Sequence, residues 1–176
     1  AFHIARTGRP GPVLVDIPRD VLAGDKTEFI WPEQVDLPGY NPPTFADENL
    51  VSQAAELINQ AERPVIITGH GVLISQASQE LLEFAEKTQI PVVSTLLGIS
   101  SFPTGHILDL GMAGMHGMAH ASLAIDQSDL LISLGMRFDD RVTGNLKGFA
   151  PNAKIVHVDV DPSELGKNIK ADAAVV

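Results

Sequence analysis

Four short apolar runs constrain this chain more than any other feature: Pro64-Val65-Ile66-Ile67-Thr68, Pro91-Val92-Val93-Ser94-Thr95, Leu130-Leu131-Ile132-Ser133-Leu134 and Lys154-Ile155-Val156-His157-Val158-Asp159. Each is too short for a helix and is closed by Gly, Thr or Asp, the pattern of a strand buried on both faces. Between them lie stretches of helical period. Behind Asp47, a candidate cap, Leu50, Val51, Ala54, Leu57, Ile58 and Ala61 form one stripe over residues 48–60; residues 75–88 turn Leu81, Leu82, Phe84 and Ala85 inward; a shorter helix covers 119–126. Strands alternating with helices at this spacing require parallel βαβ units with right-handed crossovers. The expected fold class is therefore α/β, a Rossmann-like parallel sheet flanked by helices, spanning residues 47–176.

The residues ahead of it read differently. Residues 13–17, Val-Leu-Val-Asp-Ile, are punctuated by Gly11-Pro12 and Pro18 and read as one more strand, which needs a sheet to pair with. Residues 22–46, with Pro32, Pro38, Pro42 and Pro43 and no periodicity, read as an extended linker. Trp31 is read as a ring pinning that linker to a domain surface, with a ligand platform as the alternative. The chain opens without Met on what looks like the tail of an amphipathic helix and closes on the apolar residues 171–176, so both ends are expected to be cuts from something longer.

Composition excludes several functions. The 176 residues carry a formal charge of −10, which gives no electrostatic footprint for nucleic acid or anionic lipid. No cysteine is present, so disulfides, thiolate nucleophiles and Cys-ligated metals are ruled out. No apolar run approaches the roughly 20 residues of a membrane span. No Walker lysine loop, EF-hand or nucleophile-elbow pattern occurs.

The chemistry is expected at the strand ends, which share one edge in a parallel sheet. Those ends carry Gly69-His70-Gly71, Thr95-Leu96, Gly135 to Asp139, and Asp159-Val160-Asp161. Glycines there allow a backbone to approach phosphate, and an aspartate at a strand tip can accept from ribose hydroxyls, so a nucleotide or dinucleotide is implied. Gly-His-Gly lacks the third glycine of GxGxxG, and a plain βα turn would use the same residues. After Gly135 come Arg137, Asp139, Asp140 and Arg141. Two guanidinium forks beyond a buried strand suit a diphosphate or a carboxylate, with one aspartate orienting an arginine; a solvated ion-pair cluster is the alternative. His116 and His120 stand four apart in HGMAH, without the glutamate of a zinc HExxH site, and no metal ligand is assigned. The glycine-jointed methionines at 111–118 are read as a loop offering thioethers to a planar ring.

GRPGPVLVDIPRDV, PVVSTLLG, GMAGMHG, GMRFDDRVTGNL and AKIVHVDVDPSELGKN, in this order, closely resemble the large catalytic subunit of the acetolactate synthase (acetohydroxyacid synthase) family of thiamine-diphosphate enzymes. The resemblance implies a transferase that decarboxylates pyruvate and adds the resulting fragment to pyruvate or 2-ketobutyrate, in branched-chain amino-acid biosynthesis. It implies that residues 1–21 end a pyrimidine-binding domain, that 22–46 connect, and that 47–176 are a central domain binding FAD, which undergoes no net redox change. Carried over by position, the FAD contacts fall on Arg9, on Gly69, His70 and Gly71, on Thr95 and Leu96, and on Ala113, Gly114, Met115 and His116. They continue on Gly135, Met136, Arg137, Phe138, Asp139, Arg141 and Val142, and end on Asp159 and Val160. The resemblance also makes Arg141 line the substrate channel and hold a keto-acid carboxylate, with Met115 and Asp140 in the same wall.

His70 stands where many relatives have glycine, and Arg19 where lysine is frequent. The resemblance places the catalytic glutamate before residue 1, and the Mg2+ and thiamine-diphosphate motif beyond residue 176, so the piece alone is expected to be inactive. It further implies small 2-keto acids and other domains of the same chain as partners, a homodimer or homotetramer with a regulatory subunit, and a bacterial cytoplasmic location. The alternative is a central scaffold domain of a glyoxylate carboligase or pyruvate-decarboxylase type, with or without FAD.

Overall fold

The structure is a computed structural model in which residues 1–24 and 26–176 are described. The chain divides into two compact units, Ala1–Thr44 and Phe45–Val176.

In the first unit, α1 (Phe2–Arg6) and α2 (Arg19–Leu22) are single turns of helix. The Tyr40 ring packs edge-on against His3, and its hydroxyl lies 2.8 Å from Thr7 Oγ1 and donates to the Thr7 carbonyl, so the proline-rich segment folds back on α1 rather than running fully extended. Residues 13–17 form no strand: among the described residues no ladder pairs with them, and an extended segment without a neighbour makes no sheet bonds. Trp31 is 75% exposed and its ring leans on Phe29 within the same unit.

The second unit is the α/β domain. In chain order it contains α3 (Glu48–Gln60), β1 (Pro64–Thr68), α4 (His70–Ile74), α5 (Ser78–Thr88) and β2 (Val92–Ser94), followed by β3 (Asp109–Met112), α6 (Ala119–Gln127), β4 (Leu130–Leu134), α7 (Asp140–Thr143), β5 (Lys154–Val158) and β6 (Ala173–Val175). The six strands form one sheet in the order β3-β2-β1-β4-β5-β6, every pair parallel. The order reverses between β1 and β4, the switch point at which doubly wound folds bind ligands.

Because side chains alternate across a strand, one face presents Ile66, Val92, Ile132 and Val156, and the other Val65, Ile67, Val93, Leu131 and Ile155. The first face is covered by Ala54 of α3, Val72 of α4 and Leu81 and Ala85 of α5; the second by Ala121 and Ile125 of α6 together with Met136, Phe138 and Ala150. Burial on both faces explains why these strands read as unbroken apolar runs.

The departures from the expected elements are local. Val51 is 48% exposed and lies off the buried stripe. The helix expected over 75–88 begins only at Ser78 as α5, because Gln76 adopts φ +59° and breaks the helical path, and a short helix, α4, occupies 70–74, where only a turn was read. Two edge strands, β3 and β6, lie where a loop and a bare apolar end were read. Asp47 does cap α3, its carboxylate accepting from Asn49 N at 2.8 Å.

At the edge where the strands begin, the Asp129 carboxylate fastens β4 to the start of β1, accepting from the amides of Glu62 (2.7 Å) and Arg63 (2.9 Å). Desolvation acts to raise this carboxyl, but the backbone N–H groups of Glu62, Arg63 and Asp129, with the Arg63 guanidinium, outweigh it and hold the group below the ordinary carboxylate range. A carboxyl depressed on folding adds stability above its unfolded-state pKa and withdraws it as pH falls through the lower folded-state value. Asp129→Asn should therefore be less stable than the parent at neutral pH, with the gap closing in acid below about pH 4; urea titrations at several pH values measure it, and a pH-independent gap would refute the assignment.

At the opposite edge the turn after β1 touches the tip of β4. A Cβ on Gly71 would lie 2.6 Å from Gly135 Cα, and one on Gly69 would collide with the Gly135 carbonyl and with Met136. The obstacles are backbone atoms and the Met136 Cβ fixed to them, which cannot swing aside. Gly71→Ala is expected to cost about 1–3 kcal/mol through overpacking, whereas Gly148→Ala, which meets nothing within 4 Å, should stay within about 0.5 kcal/mol. Denaturant unfolding of the two variants side by side is the check.

Candidate functional site

All strands being parallel, the segments Gly69 to Gly71, Thr95-Leu96, Gly135 to Asp139 and Asp159-Val160 leave the sheet along one edge. Arg9 belongs to the other unit and is exposed.

The backbone at this edge is largely committed to itself. Gly69 N donates to Leu134 O, Gly71 N to Gly135 O, Thr95 N to Thr68 O, Gly135 N to Val158 O and Asp159 N to Val175 O, all at 2.9–3.1 Å. Ala113 N likewise donates to Ser94 O at 3.2 Å. Apart from the Gly71 bond, which joins two turns, each of these bonds continues a ladder one residue past its strand. Gly69, Gly71 and Gly135 sit where two turns touch, and their N–H groups donate to the neighbouring turn or strand, the plain-turn use that Gly-His-Gly also allowed. What the edge offers beyond these turns is the side chains of neighbouring residues.

The principal carrier of those side chains is the loop from Gly135 to Asp139. Gly135 turns the chain at φ +58°, after which residues alternate. Met136 and Phe138 are buried in the core, whereas Arg137 is exposed and Asp139 half-buried. Met136, Phe138 and Ala113, named from the resemblance as cofactor contacts, have their side chains in the core and leave a ligand only their backbone. The Phe138 ring sits edge-on to Phe149 and to His157. Two of its loop's carbonyls are held from other elements: Met136 O lies 2.9 Å from His157 Nε2, and Phe138 O accepts from Asn168 Nδ2 at 2.7 Å.

Both aspartates hold an arginine. Asp139 accepts from Arg137 Nε at 3.2 Å and also caps α7, accepting from Arg141 N at 3.0 Å; Asp140 accepts from Arg141 Nη1 at 3.1 Å. The guanidiniums remain exposed beside their partners, so each is oriented without being removed from water.

The methionine and glycine loop, residues 113–118, packs on the same segment. Met115 N donates to Arg141 O at 3.0 Å, and a Cβ on Gly114, which sits at φ +99°, would meet that carbonyl. The first part of this stretch is strand β3, and Met118 precedes α6, so a shorter loop remains than the sequence suggested. Its Met115 is 64% exposed and His116 is also exposed. A cavity of about 370 Å3 lies between this loop, α6 and α7, lined by Ala113, Met115, Ile125, Val142 and Phe149, with Asp140 and Arg141 also in its wall. Arg141, Val142 and Met115 therefore share one concavity, while Leu96, 69% exposed, and Val160 stand along the sheet edge beside other strands. His70 is exposed on α4. Among the described residues no group of three or more His, Asp or Glu side chains is placed to hold a metal ion, and no helix is long and apolar enough to cross a membrane.

Sequence reasoning missed Ser122 and Asp126 in the cavity wall, and His157 and Asn168 behind the loop. Only His157 carried a signal: it interrupts an otherwise aliphatic strand and is fully buried.

Residues 51–176 match the family described as thiamine pyrophosphate enzyme, central domain. The whole chain is 54% identical to a protein named acetolactate synthase from Mycobacterium leprae, 53% to a probable acetolactate synthase large subunit from Methanocaldococcus jannaschii and 51% to an acetolactate synthase large subunit from Corynebacterium glutamicum. It spans 28–30% of the length of these relatives. A six-stranded parallel sheet with helices on both faces is the architecture found under that match, and the chain belongs to the central-domain family of thiamine pyrophosphate enzymes.

Proposed function

We propose that this chain is the FAD-binding central domain of an acetolactate synthase large subunit, whose whole enzyme condenses pyruvate with pyruvate or 2-ketobutyrate. One observation carries the reading: in a chain 51–54% identical to acetolactate synthases, Arg137, Asp139, Asp140 and Arg141 stand exposed or half-buried at one sheet edge, tied through Arg141 O to the Met115 loop and bordering an apolar-walled cavity. The side chains suit a dinucleotide. Guanidiniums bind a diphosphate in bidentate fashion, the Asp159 carboxylate at the tip of β5 suits a ribose, and Leu96 and Met115 offer exposed apolar surface to a ring.

Arg137 and Arg141 would exchange their aspartate partners for ligand oxygens. Such exposed pairs cost little to separate, and a charge-assisted fork to phosphate or carboxylate is stronger. Arg141, beside the cavity, would hold the keto-acid carboxylate. Thiamine diphosphate, bound with Mg2+ by domains outside this chain, supplies the carbanion chemistry; the chain alone would be inactive. The same domain serving only as a scaffold is the second reading, favoured by the tip glycines being explained by chain packing alone.

In the natural protein with its flanking domains, the purified enzyme is expected to be yellow with bound flavin. Arg141→Ala should lower carboligation about tenfold or more while flavin content and melting stay near the parent. Unchanged turnover would remove Arg141 from the mechanism, and a colourless enzyme that does not take up FAD on titration would favour the scaffold.

A further inference from the structure

Behind the arginine loop stands a polar arrangement that the proposed function does not use. His157 lies in the middle of β5 with no exposed surface, and Ser133 of β4 is its register partner, likewise fully buried. Both point to the face of the sheet that carries Leu131 and Ile155, because they sit two residues along from those side chains. Their Ser133 Oγ and His157 Nδ1 are the two buried side-chain polar atoms without a hydrogen-bond partner among the described residues. Leaving such atoms unpaired costs stability, and apolar side chains would avoid that cost. The other ring nitrogen has a defined task. Met136 O can only accept, so at 2.9 Å His157 Nε2 carries the proton, and in the neutral ring Nδ1 is then an acceptor. In-register residues on neighbouring strands stand about 4.8 Å apart, which brings a rotated serine hydroxyl within reach of that nitrogen.

We propose that His157 and Asn168 are positioning residues for the ligand-facing arginine loop, and that the Ser133 hydroxyl sets the His157 tautomer. The loop's inward carbonyls, Met136 O and Phe138 O, are each held by one of them, at 2.9 and 2.7 Å. With Met136 and Phe138 fixed inward, Arg137 and Asp139 between and after them must face outward, because extended residues alternate. A slip of one residue would bury a guanidinium. A Ser133 hydroxyl rotated to donate to Nδ1 would hold the proton on Nε2, the form that can donate from Nε2 to the Met136 carbonyl. The Phe138 ring, edge-on to His157 at 5.0 Å, makes a steric contact that His157→Phe can keep while losing the donor. His157→Gln, whose amide nitrogen stands at a similar reach, keeps a donor.

The inference rests on the dinucleotide reading only for its functional consequence, and the test separates the two. Nitrogen-15 NMR of the His157 ring in this chain should report the Nε2–H tautomer, and Ser133→Ala should mix in the other form. Hydrogen exchange at the Asp139, Val142 and Thr143 amides, which close the loop onto α7, should accelerate about five- to tenfold in His157→Phe. It should be restored largely in His157→Gln and accelerate comparably in Asn168→Ala, a surface change that leaves the core intact. β2 amides should not change. FAD titration should weaken by a similar factor in His157→Phe and Asn168→Ala. An Nδ1–H tautomer in the parent, exchange raised equally in β2 and in the loop, or failure of glutamine to rescue would overturn the positioning role. If the parent takes up no FAD, the cofactor reading falls, and the tautomer and exchange results still decide this one.

Discussion

The second unit depends on one close contact, the meeting of the turn after β1 with the tip of β4. These are the strands at which the sheet order reverses, and in doubly wound folds the backbones usually diverge there to leave a crevice. Here Gly69 and Gly71 lie so near Gly135 and Met136 that no side chain fits between them, and two hydrogen bonds, Gly69 N to Leu134 O and Gly71 N to Gly135 O, close the contact. The crevice is filled by the protein's own backbone at its base. Anything recognised at this edge must lie further out, against side chains that project beyond the turns.

That shift governs the electrostatics. A backbone amide is fixed in place, whereas the exposed guanidiniums of Arg137 and Arg141 can release and exchange partners. Each guanidinium is balanced by an adjacent aspartate, which keeps a strongly acidic chain from drawing its own distant carboxylates onto the arginines. Asp139 serves twice, as the cap of α7 and as the partner of Arg137. Loss of Arg137 to a ligand leaves the cap in place, because the two bonds use different carboxylate oxygens.

Much of this architecture was legible in the sequence because burial on both faces writes itself as unbroken aliphatic runs. The interior strands β1, β2, β4 and β5, and the helices α3 and α6, follow from that pattern with bounds off by a residue or so. The edge strands β3 and β6 were not legible. Asp109-Leu110-Gly111-Met112 contains a glycine at φ +74° and none of its residues is fully buried, so it reads as a loop until β2 is beside it. Residues 13–17 show the converse: a strand-like composition with no neighbour forms none. At the site, the charged loop was visible as charge density, and the relation of Arg137 and Arg141 to Asp139 and Asp140 could be anticipated from proximity. The glycines were visible too, and the sequence left two reasons for them open, a close approach of phosphate or a plain βα turn. Sequence shows that a Cβ is absent, not whether a phosphate or another turn occupies its place.

His157 marks the limit of sequence reading in the other direction. A histidine in an aliphatic strand signals a polar task, yet nothing in KIVHV says that the task lies 21 residues earlier in the chain, on the Met136 carbonyl. The link exists because β4 and β5 are in register, so a side chain on one can reach the exit of the other. The four residues from Met136 to Asp139 are consequently core and site at once, two side chains turned into the apolar layer and two toward the edge. A substitution in that layer, at Phe138 or Phe149, will reach the arginines through the backbone without touching them, and the orientation of the charged groups is as much a property of packing as of charge.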